Sequence, residues 1–329
     1  MKRIIVLFSI FSISFSSFSQ YQWEVGVNLG GSGYLGDIGG NELTRRTSIF
    51  DLHIEETNPS FGIYTRYKIN KKFAVHGGLN YLKIEDYDSN SENPARRARN
   101  LNFRNTIYEL SARAEWTFFL NTDMGQKGYY SNKLNANLFA GIAGFYHNPQ
   151  GQITKNGHLL YGGEWFDLRP WKTEGQKNEY SKFSVAIPMG IGVYITTNNK
   201  WRFGWEFSYR YTFTDYLDDI KGNYANPDDL DPQAVEFASQ SYQALIDEIN
   251  ASYVENEEYG GAGTILDHQY VEGAMGGNGT KRGDAVHNDS YLTSSITVGY
   301  IFKGRSRFYR KKYSWLKNRT TYRRSKAKF

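Results

Sequence analysis

No cysteine occurs anywhere in the 329-residue chain, so disulfide staples and thiolate metal sites are excluded. Proline is scarce, at seven residues, and mean hydropathy is −0.61. Beyond the N-terminus no stretch reaches the ~18 apolar residues that a membrane-crossing helix needs. None of the histidines (His53, His76, His147, His158, His268 and His287) sits in a HExxH pair. The glycine-rich stretches GGAGT (260–264) and GAMGGNG (273–279) are not followed by the lysine and helix of a phosphate loop. These absences narrow the field to a β-rich chain without the usual metal or nucleotide signatures.

Aromatic residues and glycine are abundant. Aromatics make up 16% of the chain, with 26 tyrosines and 21 phenylalanines, and there are 33 glycines. That composition favours β-structure. The N-terminus reads MKRIIVLFSIFSISFSSFSQ, with Lys2 and Arg3 ahead of a short apolar core and small residues at Ser17 and Ser19. The pattern predicts a signal peptide over 1–19 and export from the cytoplasm. Charge is unevenly spread. Residues 303–329 hold twelve basic residues and no acid. Setting these and Lys2 and Arg3 aside from the 39 basic residues leaves 25 against 34 acids, a net of −9 for residues 20–302.

The stretch WRFGWEFSYRYTF (201–213) places large aromatics at every second position from Trp201 to Phe213, with Arg202, Glu206 and Arg210 between them. Period-2 alternation is the mark of a strand with two unlike faces. It recurs seven more times, in YQWEVGVNLGG, SFGIYTRYKIN, KFAVHGGLNYL, IYELSARAEWTFFL, KLNANLFAGIAGFY, SKFSVAIPMGIGVYITT and YLTSSITVGYIF. A soluble sandwich or lipocalin-like barrel would put the apolar face inward and polar residues in water. Here the polar face is rich in Gly, Ser and Asn, which suit a crowded lumen. It also carries charges of both signs, Glu24, Arg66, Glu109, Arg113, Glu115, Arg202, Glu206 and Arg210. Aromatics gather near segment ends, as interfacial girdles do.

The connections sort by length. NKK, NTDMGQKGYYSN and TNNK are short, and the four connections that alternate with them are long. Short periplasmic turns alternating with long external loops define outer-membrane barrels. The expectation is an all-β fold: an eight-stranded antiparallel transmembrane β-barrel over 20–302, with long extracellular loops and both termini in the periplasm. Isolated buried charges would be costly, so the eight charged residues are expected to form a lumen ion network that plugs the barrel. The fourth long loop, 216–289, contains DPQAVEFASQSYQALIDEI, which predicts a short helix with Asp231 as N-cap and Pro232 at its first position.

Three loop features have two readings each. Asp37, His147, Asp215, Asp218 and His287 are able to gather at the external rim as a catalytic group, or to serve as ordinary loop polars, the reading the sequence favours. The acids of TDYLDDI and NPDDLDP suit either Ca²⁺ or loop hydrogen bonding. The tail 303–329 is either solvated or a docking arm. Its aromatics interleave with basic residues, and Arg310, Lys311, Lys312, Trp315, Arg323 and Arg324 are candidate partner-binding positions. Export makes nucleic acid an improbable partner. No cofactor, metal or small-molecule substrate is indicated.

GVNLGGSGYLGDIGG and FSYRYTFTDYLDDIKGNY resemble the PorG-type outer-membrane barrels of the Bacteroidota type IX (Por) secretion system. The matching positions are Gly36 and Asp37 in YLGDIGG, and Thr214, Asp215, Tyr216, Leu217, Asp218 and Asp219 in TDYLDD. The resemblance implies a non-enzymatic component of a secretion, and in gliding members a motility, apparatus. It would touch outer-membrane lipids and anchor a periplasmic ring made by a lipoprotein and its partner, with the basic tail as a contact surface. The alternative is an OmpA- or OmpX-like small barrel acting in adhesion or envelope integrity through its loops. A rim enzyme and a small channel are further readings.

Overall fold

The computed structural model describes residues 21–39, 56–91, 94–124, 132–242, 279–283 and 285–303, with 244 and 247 alone beside them. The expected signal peptide and all tail positions after Lys303 lie outside the described residues.

Each alternating segment forms one long strand: β1 Tyr21–Leu35, β2 Asn58–Lys68, β3 Phe73–Tyr87, β4 Asn102–Met124, β5 Asn132–Tyr146, β6 Phe183–Thr197, β7 Trp201–Thr212 and β8 Ser290–Lys303. Each pairs antiparallel with the next, and β8 returns to pair with β1, with Gly26 opposite Gly299. The sheet is therefore a closed eight-stranded barrel with no unpaired edge. Tyr21 lies opposite Lys303, so the first and last strands start and end on the side of the short turns 69–72 and 198–200.

The turns carry the chemistry their length demands. Asn198 and Asn199 both have positive φ, at 54° and 51°. That is the conformation of the tight hairpin turn matched to strand twist. At the other described turn the Asn70 side chain accepts from the Lys72 and Phe73 backbone N–H groups, both at 2.8 Å.

Apolar side chains cover the outside. Leu29, Phe61, Ile63, Leu79, Leu110, Ile142, Phe183, Trp205 and Ile296 are all exposed, Ile142 by 71%. A continuous apolar girdle is untenable in water. It is the expected surface of a membrane-spanning barrel, where hydrocarbon replaces water. Among the described residues no helix is long and apolar enough to cross a membrane. Strand β4 departs from simple alternation. Its register with β5 slips between Thr117 and Phe119, so Phe118 and Phe119 are both exposed. A bulge of this kind re-aims the residues after it. Leu292 also departs from expectation. It sits on the outward face of β8 yet is buried.

The interior has two layers. The half nearer the short turns is ionic. The half nearer the loops is an apolar core of Leu82, Ile84, Phe103, Ile107, Phe145 and Tyr291, closed by Leu217 and Ile220 from the fourth loop. Close packing inside needs small residues in places. A Cβ on Gly204 would lie 2.1 Å from the Tyr194 ring, which crosses the lumen there.

The described residues of the loops include two short α-helices: α1, Pro94–Arg99, and α2, Pro232–Ala238. Helix α2 starts where Pro232 predicts but ends at Ala238, where Ser239 turns extended, well before the end of the stretch DPQAVEFASQSYQALIDEI. Asp231 is not a side-chain cap. Only its backbone carbonyl engages, accepting from Val235 N–H at 3.1 Å. Phe237 packs on Trp171 and Phe166 from the third loop, at 5.7 and 5.8 Å between ring centroids. The helix therefore docks on another loop.

Candidate functional site

All eight charged residues of the polar face are buried in the lumen. They form two groups. In the larger, Glu24 meets Arg202 at 3.1 Å and Arg66 at 3.5 Å. Arg66 reaches Glu115 at 2.6 Å, and Arg113 lies 3.9 Å from Glu115 and 2.5 Å from Glu206. Tyr64 and Tyr194 donate to Glu24 and Glu206, both at 2.8 Å. The Arg202 guanidinium lies 3.7 Å from the Tyr194 ring centre, a stacking that aromatic faces favour. The smaller group is Arg210 with Glu109 at 2.8 Å, and Glu109 also accepts from Tyr291 and Asn80. Four arginines meet four glutamates. The network is neutral as a whole and fills the cross-section, as the narrow lumen of an eight-stranded barrel requires.

The loops above it are knit together by buried polar contacts. Gly36 and Asp37 meet Thr214, Leu217 and Asp218, far away in sequence, at one node. Tyr34 Oη lies 2.7 Å from Asp218 and 2.8 Å from Asp289, and accepts from Asp37 N–H at 3.0 Å. Asp218 also accepts from Ile38 and Ile220 N–H, and Asp289 from Leu217 N–H. Asn105 in β4 donates to the Leu217 carbonyl at 2.7 Å. A Cβ on Gly36 would lie 1.8 Å from Tyr34 Oη and 2.2 Å from Asp289 Oδ1, so only glycine fits beside the node.

Hydrogen counting points to a shared proton at the node. A tyrosine hydroxyl has one hydrogen and two acceptor sites. Tyr34 accepts once from Asp37 N–H and donates to one carboxylate. The contact with the other carboxyl then requires a hydrogen on that carboxyl. Burial, followed by the neighbouring Asp37, pushes Asp218 up to about 7. Burial and then the Asp218, Asp37 and Asp215 carboxylates raise Asp289 well above its ordinary range.

Two further clusters complete the cap. Arg99 of α1 binds Asp88 at 2.7 Å and donates to the carbonyls of Asp37 and Arg282, both at 2.6 Å. Arg282 donates to Glu174, Thr173 and the Asp219 carbonyl. Asp219, with φ 69°, accepts from Thr173 and Tyr180. Burial raises its carboxyl to about 6 despite Arg282 and those two donors.

The rim residues considered as a catalytic group divide. Asp37 and Asp218 join the node. His147 is buried, its ring flanked by Phe145 and Tyr180 at 5.5 and 6.4 Å between centroids, and burial lowers it to about 4. His287 is exposed. Among the described residues no group of three or more His, Cys, Asp or Glu is disposed to hold a metal ion. Asp289, Tyr34, Asp88, Arg99 and Arg282 were not singled out in the sequence. Asp289 directly precedes β8, and that position at a strand mouth was the signal available.

A family model described as "Domain of unknown function (DUF6089)" matches residues 2–243, well over half the sequence. The chain belongs to the DUF6089 family. No curated protein matches it. Among solved structures, this DUF6089 chain is similar to Ail, the attachment invasion locus protein of Yersinia pestis, at 10% identity over 85% of this chain and 99% of that one, with a TM-score of 0.29. Neisserial surface protein A matches at 11% identity over 85% and 97%, with a TM-score of 0.30, and CarO2 of Acinetobacter baumannii at 11% over 84% and 99%, with a TM-score of 0.25. The architecture of the DUF6089 chain is read from its own strands, not from these likenesses.

Proposed function

We propose that this protein is a non-enzymatic outer-membrane barrel that acts through the bonded surface of its long loops. In this it would be akin to the small OmpA- or OmpX-like barrels of adhesion and envelope integrity. The short turns and strand termini would face the periplasm, and the loops the outside. One observation carries the reading: the lumen is filled by paired ions and an apolar layer, while all four long loops contribute to one hydrogen-bonded cap. A filled lumen has no use as a path. An ordered cap is a use for residues that a mere connector would not need.

The test is to shorten the third and fourth loops to tight turns. The barrel is expected still to fold, seen as heat-modifiable mobility on gels, while surface attachment or envelope resistance is lost. Steady conductance of the intact protein in planar bilayers would instead make it a channel.

A second reading is an anchor for a periplasmic ring of a type IX secretion apparatus. What favours it is that several residues carrying the PorG resemblance, Gly36, Asp37, Thr214, Leu217 and Asp218, meet at the node. Deleting 304–329 is expected to weaken co-purification of the ring with a folded barrel, and undiminished co-purification would dismiss the tail's part in it.

A further inference from the structure

The turn-side mouth of the barrel holds a cavity of about 290 Å³. Its lining includes Glu24, Arg66, Lys68, Lys71, Lys133 and Arg202. The lumen network below is already balanced, with Arg66, Arg113, Arg202 and Arg210 set against Glu24, Glu109, Glu115 and Glu206. The three lysines are therefore surplus positive charge. Lys133 donates to Asn199 at 2.6 Å, a neutral partner, and none of the three makes an ion pair with a described carboxylate.

Arg202 makes the surplus more pointed. It is 3% exposed and gives one nitrogen to Glu24, but its Nε and second terminal nitrogen have no hydrogen-bond partner among the described residues. Buried N–H groups of a guanidinium are costly when unmade. Arg202 is also one of the residues lining the cavity, so a guanidinium short of acceptors stands beside the three ammonium groups, a setting that favours an acceptor carrying negative charge.

We propose that this mouth is an oxyanion site that takes a phosphate group. Ammonium groups from β2, the first turn and β5 converge with a guanidinium from β7. Donors arriving from separate directions suit a tetrahedral anion with several oxygens better than a planar carboxylate. The surplus of three positive charges suits a group able to carry two negative ones. Free phosphate and the headgroup of an anionic phospholipid share this chemistry.

The full chain in zwitterionic detergent, freed of lipid, is dialysed to equilibrium against radiolabelled inorganic phosphate. In parallel, native mass spectrometry counts phosphatidylglycerol retained over phosphatidylcholine. Both are repeated with Lys68→Gln/Lys133→Gln, which leaves the buried ion pairs intact. Heat-modifiable mobility checks that the variant folds. Losing each charge-assisted bond is expected to weaken binding about tenfold. Saturable phosphate uptake that falls in the variant supports the site and marks its ligand as soluble. Lysine-dependent retention of phosphatidylglycerol alone supports it with a lipid headgroup as the source. Uptake of neither probe, or equal uptake by the folded variant, overturns it.

Discussion

The two halves of the barrel interior handle buried charge in opposite ways. On the turn side every buried glutamate faces an arginine. On the loop side Asp218 and Asp289 share a tyrosine hydroxyl with Asp37 close by, a geometry that calls for a proton on one of the pair and in which burial raises both carboxyls. Pairing with a fixed cation makes a charge permanent at the cost of desolvating two ions. Sharing a proton removes the charge and ties the structure to pH. The ionic half is therefore built as a permanent plug, and the loop half as a clasp whose strength follows acidity.

The largest effect should come from breaking a pair in the plug. Glu109 is the one carboxylate paired with Arg210 among the described residues. Glu109→Ala leaves that guanidinium buried and uncompensated, at an expected cost of about 3–5 kcal/mol. It should appear as a lower midpoint of urea unfolding in micelles. Replacing both partners, as Glu109→Leu/Arg210→Met, is expected to recover most of the loss. If the single change is harmless, the plug is not held by its pairs.

In the clasp the damaging change is steric. Gly36→Ala puts a methyl against Tyr34 Oη and Asp289, and overpacking of this kind costs about 1–3 kcal/mol. The expected result is faster protease cutting in the loops with the barrel's heat-modifiable band unchanged.

Removing an acid should act with opposite signs in the two halves. Folding raises Asp218 from 3.8 to about 7, so the folded node binds protons more tightly than the unfolded chain. Stability from this source is fully present below about pH 4 and is lost as pH rises towards 7. Hydrogen-exchange protection in 214–220, taken relative to the intrinsic rate at each pH, is therefore expected to rise on going from pH 8 to pH 5. Asp289→Asn mimics the protonated carboxyl: its oxygen still accepts from Leu217 N–H, and its amide donates to Tyr34. The variant should protect the loops at pH 8 by about 1 kcal/mol more than wild type and flatten the pH dependence. Weaker protection at pH 8 would mean that the node carries no shared proton.

The plug was more legible in the sequence than the clasp. Lipid and lumen alternate along every strand, so a period of two separated Trp205 from Glu206 without any knowledge of neighbours. The equal numbers of Arg and Glu on the polar face then required pairing. The apolar upper layer was hidden because both faces of the strands are apolar there, as at Tyr81 and Leu82, and alternation says nothing. The node was half visible. Its motif residues stood out, but Tyr34 and Asp289 come from opposite ends of the chain, and only closure of β1 against β8 brings them together. The β4 bulge and the surplus lysines at the mouth likewise depend on register, which no local pattern fixes.

The smallest effect should lie farthest from both halves. At the start of α2, Asp231 follows the sequence rule for a helix cap, yet its side chain makes no cap bond and is exposed. Asn226, five positions earlier, does accept from Asp228 N–H, at 3.3 Å. A cap is worth about 1 kcal/mol only when its bond is made. Asp231→Ala should therefore stay within about 0.5 kcal/mol of wild type, and Asn226→Ala should cost somewhat more. Both are read as protease protection of the fourth loop. If Asp231→Ala proves the more damaging, the anchoring of α2 comes from its own first turn. If not, it comes from Phe237 seated on Trp171 and Phe166, and the helix is held as the rest of the cap is held, by contact with another loop.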